Sequence, residues 1–191
     1  MKTIYLLRHS ITEGVERRLY YGATDLPLVE SGWKLCESLR GKFELPENII
    51  YATTGMIRTK ETLIGLFGNV PYTEYPDLRE MNVGVLEMHS YEELKENSDY
   101  LSWIFDEIGD FRIPGGETKN EMSARIMRCI RMLANEPGPD LFIVCHGGTI
   151  CNAMTNLFPK DCKSFYDWSP KPCEGYAIHF EDGHAVSWDK I

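Results

Sequence analysis

Two short apolar runs in this chain, Thr3 to Leu7 and Leu141 to Cys145, both open directly onto histidine: Arg8-His9 follows the first, and His146-Gly147-Gly148 follows the second. A run without polar alternation suits a strand covered on both faces, the environment of a parallel sheet clad by helices. In such sheets binding and catalytic groups gather beyond the carboxyl ends of the strands. If the two strands are neighbours, both imidazoles meet at one edge. A lone histidine at a strand end is as often a structural ring as a functional one; two in matching contexts favour function.

The rest of the chain supports an α/β reading. A helical pattern is expected over about 31 to 43, a short strand at 49 to 52, an amphipathic helix over 54 to 67 and a strand at 72 to 75. Thr118 and Glu121 have the spacing of a capping box, so a helix should run from there to about Asn135, where Pro137-Gly138-Pro139 stops it. A helix over 149 to 158 and a late hairpin, Tyr176 to Phe180 with Ala185 to Trp188 around Glu181-Asp182-Gly183, complete the pattern. The 191 residues suffice for one core, so residues 1–191 are read as a single domain. The acidic, aromatic, turn-rich stretch at about 82 to 116 is read as an insertion facing the substrate.

Composition narrows the function. Lys and Arg number 20 against 29 Asp and Glu, a formal net charge of -9, which disfavours non-specific nucleic-acid binding and electrostatic attachment to anionic lipid. The six cysteines lack a Cys-x-x-Cys pair and read as reduced thiols of a cytoplasmic protein. The apolar start ending at Arg8 is too short for a signal sequence or a membrane span.

The ordered motifs resemble those of the histidine phosphatase superfamily, which includes the cofactor-dependent phosphoglycerate mutases and many small phosphatases. They are Leu6-Leu7-Arg8-His9; Gly22-x-x-Asp25-x-Pro27-Leu28 with Glu30-x-Gly32; Arg58; Leu78-Arg79-Glu80 followed by Gly84; Pro114-Gly115-Gly116-Glu117; and His146-Gly147-Gly148. The resemblance implies a three-layer α/β/α sandwich with a mostly parallel central sheet, and a small-molecule phosphomonoester as substrate. It implies His9 as the nucleophile, with Arg8, Arg58 and His146 around the phosphate. The residue types fit that chemistry: an imidazole can form a phosphoenzyme, and guanidinium forks match the phosphoryl oxygens. Glu80 is the expected acid/base, with Glu87 the runner-up because Gly84-Val85-Leu86-Glu87 is similar to the family's Gly-x-Trp-Glu. Ser10, Tyr21, Gly22 and Gly147 are further candidate binding residues. No metal and no cofactor is called for, and oligomeric state is left open.

Where relatives continue Arg-His with Gly, then Glu or Gln, then Thr and an Asn three residues beyond, this chain has Ser10, Ile11, Thr12 and Val15. One phosphate donor is therefore missing, and Ser10, Arg17, Arg18 or Tyr21 is expected to compensate. The missing Asn and the acidic residues of the 84 to 111 region favour hydrolysis of a monoester over mutase chemistry, which needs extra basic groups for a second phosphate. A degenerate, non-catalytic phosphate binder is the competing class. Tyr20, Tyr21, Tyr91, Tyr100, Trp103, Phe105, Tyr166 and Trp168 include candidates for a stacking platform, although most are expected to pack the core.

Overall fold

The computed structural model describes all residues, 1–191. Strands β1 (Lys2–Arg8), β3 (Ile49–Thr53), β4 (Tyr72–Glu74), β6 (Asp140–Cys145), β7 (Gly175–Glu181) and β8 (His184–Lys190) form one sheet in the order β4-β3-β6-β1-β7-β8. The first four of that order are mutually parallel; β7 runs antiparallel to β1, and β8 antiparallel to β7. Asp182 and Gly183, both at positive φ (49° and 77°), make the tight turn between the last two strands. Strand β2 (Leu19–Tyr20) pairs separately with β5 (His89–Ser90), tying the segment after His9 to the insertion.

The two faces of the sheet carry different helices. Helices α6 (Lys119–Asn135) and α7 (Gly147–Leu157) cover one face, where Ile4, Leu6, Ile143 and Cys145 join Ile126, Ile130 and Ile150 in the larger core. Helices α2 (Glu30–Leu39) and α3 (Ile57–Phe67) cover the other, where Leu7, Phe142 and Val144 meet Cys36, Leu63 and Leu66. Alternate residues of β1 and β6 thus face opposite cores, which explains why both strands are apolar throughout. Phe142 sits edge-on to Phe43 and Phe67; truncating such a ring costs about 3–5 kcal/mol. The short helices α1 (Glu13–Glu16), α4 (Tyr91–Leu94) and α5 (Ser98–Ile104) lie in the connections, α1 between β1 and β2 and the other two between β5 and α6. No helix is long and apolar enough to cross a membrane.

Several boundaries differ from expectation for local reasons. Helix α3 begins at Ile57 rather than at Thr54, because the Asp25 carboxylate accepts the Ile57 N–H (2.9 and 3.1 Å) while Thr54 turns inward. Helix α2 ends at Leu39, shortly before Gly41 at φ 74°. The Thr118 box forms as expected: Thr118 Oγ1 accepts from Glu121 N at 3.0 Å, and the Glu121 carboxylate accepts from Thr118 N at 3.0 Å.

Candidate active site

The register of β1 on β6 brings the histidines together. Arg8 lies opposite Cys145, and the His9 N–H donates to the Cys145 carbonyl at 2.9 Å. The two imidazole rings leave these neighbouring strand ends with centroids 5.4 Å apart. Above them is a cavity of about 330 Å³ whose lining includes Arg8, His9, Glu80, Gly147 and Gly148.

His9 is buried, and its Nδ1 lies 2.7 Å from the carbonyl of Ser10. A carbonyl only accepts, so Nδ1 carries the proton and Nε2 keeps its lone pair on the cavity side. Burial, followed by the positive charges of Arg58 and Arg8, holds His9 well below the ordinary histidine pKa. The ring is therefore neutral near pH 7 and nucleophilic at Nε2. Arg8 Nη1 donates to the Pro170 carbonyl at 2.8 Å, whereas its buried Nε–H has no protein partner. That unpaired donor lies against Gly147, in the first turn of α7, where the helix dipole also favours an anion.

Arg58 and His146 lie behind this front row and do not line the cavity. Arg58 Nε donates to His146 Nδ1 at 3.2 Å, and His146 Nε2 then donates to Thr54 Oγ1 at 2.9 Å. Arg58 also donates through Nη1 to the Thr24 carbonyl and through Nη2 to the Gly22 carbonyl, at 2.9 and 2.8 Å, with the Tyr21 ring 5.0 Å from its central carbon. One N–H on each terminal nitrogen remains beyond these bonds. Burial and the Arg58 charge push the His146 pKa well below its ordinary value, so this ring too is neutral.

Glu80 lines the cavity and is anchored at both oxygens, Oε1 accepting from Met81 N at 3.0 Å and Oε2 from Gly148 N at 2.8 Å. A side chain at position 148 would place Cβ 2.4 Å from Glu80 Oε1, so the glycine lets the carboxylate sit this close to the helix. Glu87, the alternative acid, is committed elsewhere. Its carboxylate accepts the backbone N–H groups of Gly22, Ala23, Thr24 and Val83 at 2.9 to 3.2 Å. It is the clamp of the 22–24 loop whose carbonyls hold Arg58.

Gly22 is part of that clamp and does not line the cavity; its Cα approaches the Met81 carbonyl so closely that an added Cβ would lie 1.7 Å from the oxygen. Ser10 is corrected as a binding candidate. Its hydroxyl donates away from the cavity to the Gly32 carbonyl at 2.8 Å, and its N–H donates to Thr62 Oγ1 at 2.9 Å. Neither Arg17, paired with Glu13 at 2.6 Å, nor the exposed Arg18 reaches the cavity. Tyr21 does, with its hydroxyl 2.6 Å from Thr12 Oγ1 and its ring packed on Gly14.

The insertion reaches the cavity through apolar Val83 and Trp103, not through its carboxylates. Those are used locally: Glu93 accepts from Ser90 N, Asp106 accepts from Gly109 N and Phe111 N, and Glu92 pairs with Lys95. The expected selection by acidic charge in this segment is therefore replaced by an apolar wall. Of the aromatic candidates, Tyr20, Tyr21, Trp103 and Tyr166 line the cavity, while Tyr100 and Trp168 are core. Sequence reasoning missed Thr54, which directly follows β3 and fixes His146, and Arg125, which pairs behind Glu80 with Glu117, a residue of the quoted Pro114-Gly115-Gly116-Glu117 motif.

A mostly parallel sheet with two histidines and Arg8 at neighbouring strand ends, and Arg58 of α3 behind them, defines an α/β protein with a cavity between a guanidinium and a neutral imidazole. The chain belongs to the histidine phosphatase superfamily, branch 1, whose sequence profile matches residues 4–189. It is 30% identical over 196 residues to the "Probable phosphoglycerate mutase" of Photorhabdus laumondii, covering 93% of this chain and 91% of that protein. Among solved structures it resembles the "putative alpha-ribazole-5'-P phosphatase" of Escherichia coli, with a TM-score of 0.85, 20% identity and coverage of 97% and 93%. It also resembles YhfR of Bacillus stearothermophilus, with a TM-score of 0.81, 24% identity and coverage of 97% and 95%.

Proposed function

We propose that the chain is a phosphomonoester hydrolase working through a phosphohistidine at His9. The carrying observation is the His9 tautomer: Nδ1 donates to the Ser10 carbonyl while burial and two guanidinium charges keep the ring neutral, leaving Nε2 as a nucleophile facing the cavity. In the first step Nε2 attacks phosphorus, the P–N bond forms as the ester P–O bond breaks, and the leaving oxygen takes a proton from Glu80. In the second step water gives a proton to the Glu80 carboxylate while its oxygen attacks phosphorus. Orthophosphate leaves and the imidazole is restored. The Arg8 guanidinium, whose Nε–H has no protein partner, binds the phosphoryl oxygens beside the N-terminus of α7; Arg58 adds positive charge from behind and holds His146 in its tautomer.

Hydrolysis is favoured over mutase chemistry because the cavity wall beyond Arg8 and His9 offers no lysine, arginine or histidine to a second phosphate. The Photorhabdus relative's name points to the mutase reading. The test is turnover of p-nitrophenyl phosphate and of a phosphoester panel, by the intact protein and by His9→Ala, with EDTA present. His9-dependent release of orthophosphate, with acid-labile label trapped on the protein, is expected. Turnover of phosphoglycerate that requires added 2,3-bisphosphoglycerate would establish the mutase instead, and absence of His9-dependent turnover across the panel would establish a phosphate binder.

A further inference from the structure

Beyond its phosphate end, the cavity changes character. Tyr20 and Trp103 form one rigid wall: the Tyr20 hydroxyl is 2.8 Å from that of Tyr100, and the rings of Tyr20 and Trp103 meet edge to face at 5.9 Å and 89°. Phe165 and Tyr166, which meet at 82° with centroids 5.4 Å apart, form a second aromatic pair on the lining. Tyr166 is 70% exposed, so this pair lies where the cavity opens to solvent. Met81 and Met122 add polarizable, adaptable surface to the same lining. Glu80 is the only carboxylate on this lining, and the only cation is Arg8, which the phosphate already occupies in the reading above.

Resting on the hydrolase reading, we propose that the cavity selects phosphomonoesters whose leaving alcohol carries an uncharged aromatic ring, which packs against the Tyr20–Trp103 wall and the Phe165–Tyr166 pair. A flat ring matches these walls in offset or edge-to-face geometry. A leaving group bearing a carboxylate, as in phosphoglycerates, would place an unpaired anion among aromatic rings and next to Glu80, a costly arrangement. The volume, about 330 Å³, is that of a small-ligand site and leaves room for one ring system.

The substrates compared should all release a primary alkoxide, so that differences report recognition rather than leaving-group chemistry: 2-(2-naphthyl)ethyl phosphate, propyl phosphate and 3-phosphoglycerate. The expected order of kcat/KM is naphthylethyl, then propyl, then phosphoglycerate, with about 100-fold between first and last. The double variant Phe165→Ala with Tyr166→Ala should lower the naphthylethyl-to-propyl ratio about tenfold. Binding of 2-(2-naphthyl)ethylphosphonate and propylphosphonate to His9→Ala, measured by calorimetry, reads recognition without turnover. A naphthyl preference in binding with no hydrolysis would uphold the inference while overturning the hydrolase reading. Equal binding of the two phosphonates, or phosphoglycerate turned over as well as the naphthyl ester, would overturn the inference.

Discussion

Arg125 Nη2 donates to the backbone carbonyl of Glu80 at 3.0 Å, and the rest of the Arg125 guanidinium is fully used around that contact. Nη1 donates to the carbonyls of Asp77 and Arg79 at 2.9 and 2.7 Å, while Nε and Nη2 hold Glu117 at 3.0 and 2.6 Å. All five N–H groups are thus placed on five acceptors, so α6 grips the short segment that presents Glu80 to the cavity. A lysine keeps the charge but not the fork. If Glu80 is the proton donor, Arg125→Lys should lower kcat/KM about tenfold for alkyl phosphates and less than about threefold for p-nitrophenyl phosphate, whose leaving oxygen needs little protonation. Equal losses on both substrates would mean that Arg125 only supports the fold.

Stability should depend on pH through His9 and His146. Both pKa values are depressed in the folded protein, first by burial. Above about pH 6.5 the rings are neutral in the folded and unfolded states alike. Below that, the unfolded chain binds protons that the folded site refuses, so stability is lost as pH falls toward the folded-state values, by about 1.4 kcal/mol per pH unit for each ring. Urea titrations between pH 6.5 and 5 should show a slope reduced by about one proton in His146→Gln. An unchanged slope in that variant would show that His146 is protonated in the fold.

Glu87 illustrates what was legible in the sequence and what was not. The apolar runs ending on His9 and His146, the Thr118–Glu121 box and the Asp182-Gly183 turn depend on neighbouring residues or a strand period, and they appear where the pattern put them. The division of labour between Glu80 and Glu87 depends on which distant backbone N–H groups each carboxylate meets. For Glu87 those are 63 to 65 residues away in the 22–24 loop, and for Glu80 the Gly148 N–H is 68 residues away. Arg125 escaped notice for the same reason: its carbonyl acceptors lie 45 to 48 residues back along the chain. Trp103 shows the same limit, since only the tertiary fold separates a cavity wall from the core contact made by Tyr100.

The clamp role of Glu87 predicts a result opposite in kind to that of Arg125. Its carboxylate accepts four backbone N–H groups, and Gln would turn an amide donor toward some of them. Glu87→Gln should cost about 1–3 kcal/mol of stability, from lost charge-assisted bonds and part-buried donors left unpaired. Alkyl and p-nitrophenyl phosphates should lose kcat/KM by similar factors, because the loop that holds Arg58 is disturbed rather than the proton donor. A selective loss on alkyl phosphates, with stability intact, would restore Glu87 as the acid.

Ser10, immediately after His9, turns its hydroxyl into α2 toward the Gly32 carbonyl, and it is its own backbone carbonyl that meets His9 Nδ1. The side chain therefore braces the loop, and the backbone orients His9. Ser10→Ala removes one buried hydrogen bond without touching the carbonyl, so it should lower stability by about 1 kcal/mol. The inhibition constant of inorganic phosphate and the kcat for p-nitrophenyl phosphate should stay within about twofold, since removing a true phosphate donor costs about tenfold or more. Weakening of phosphate inhibition by that larger factor would mean that the hydroxyl swings to the anion. With Arg17 and Arg18 remote from the cavity, it would also mean that Ser10 replaces the missing Asn donor.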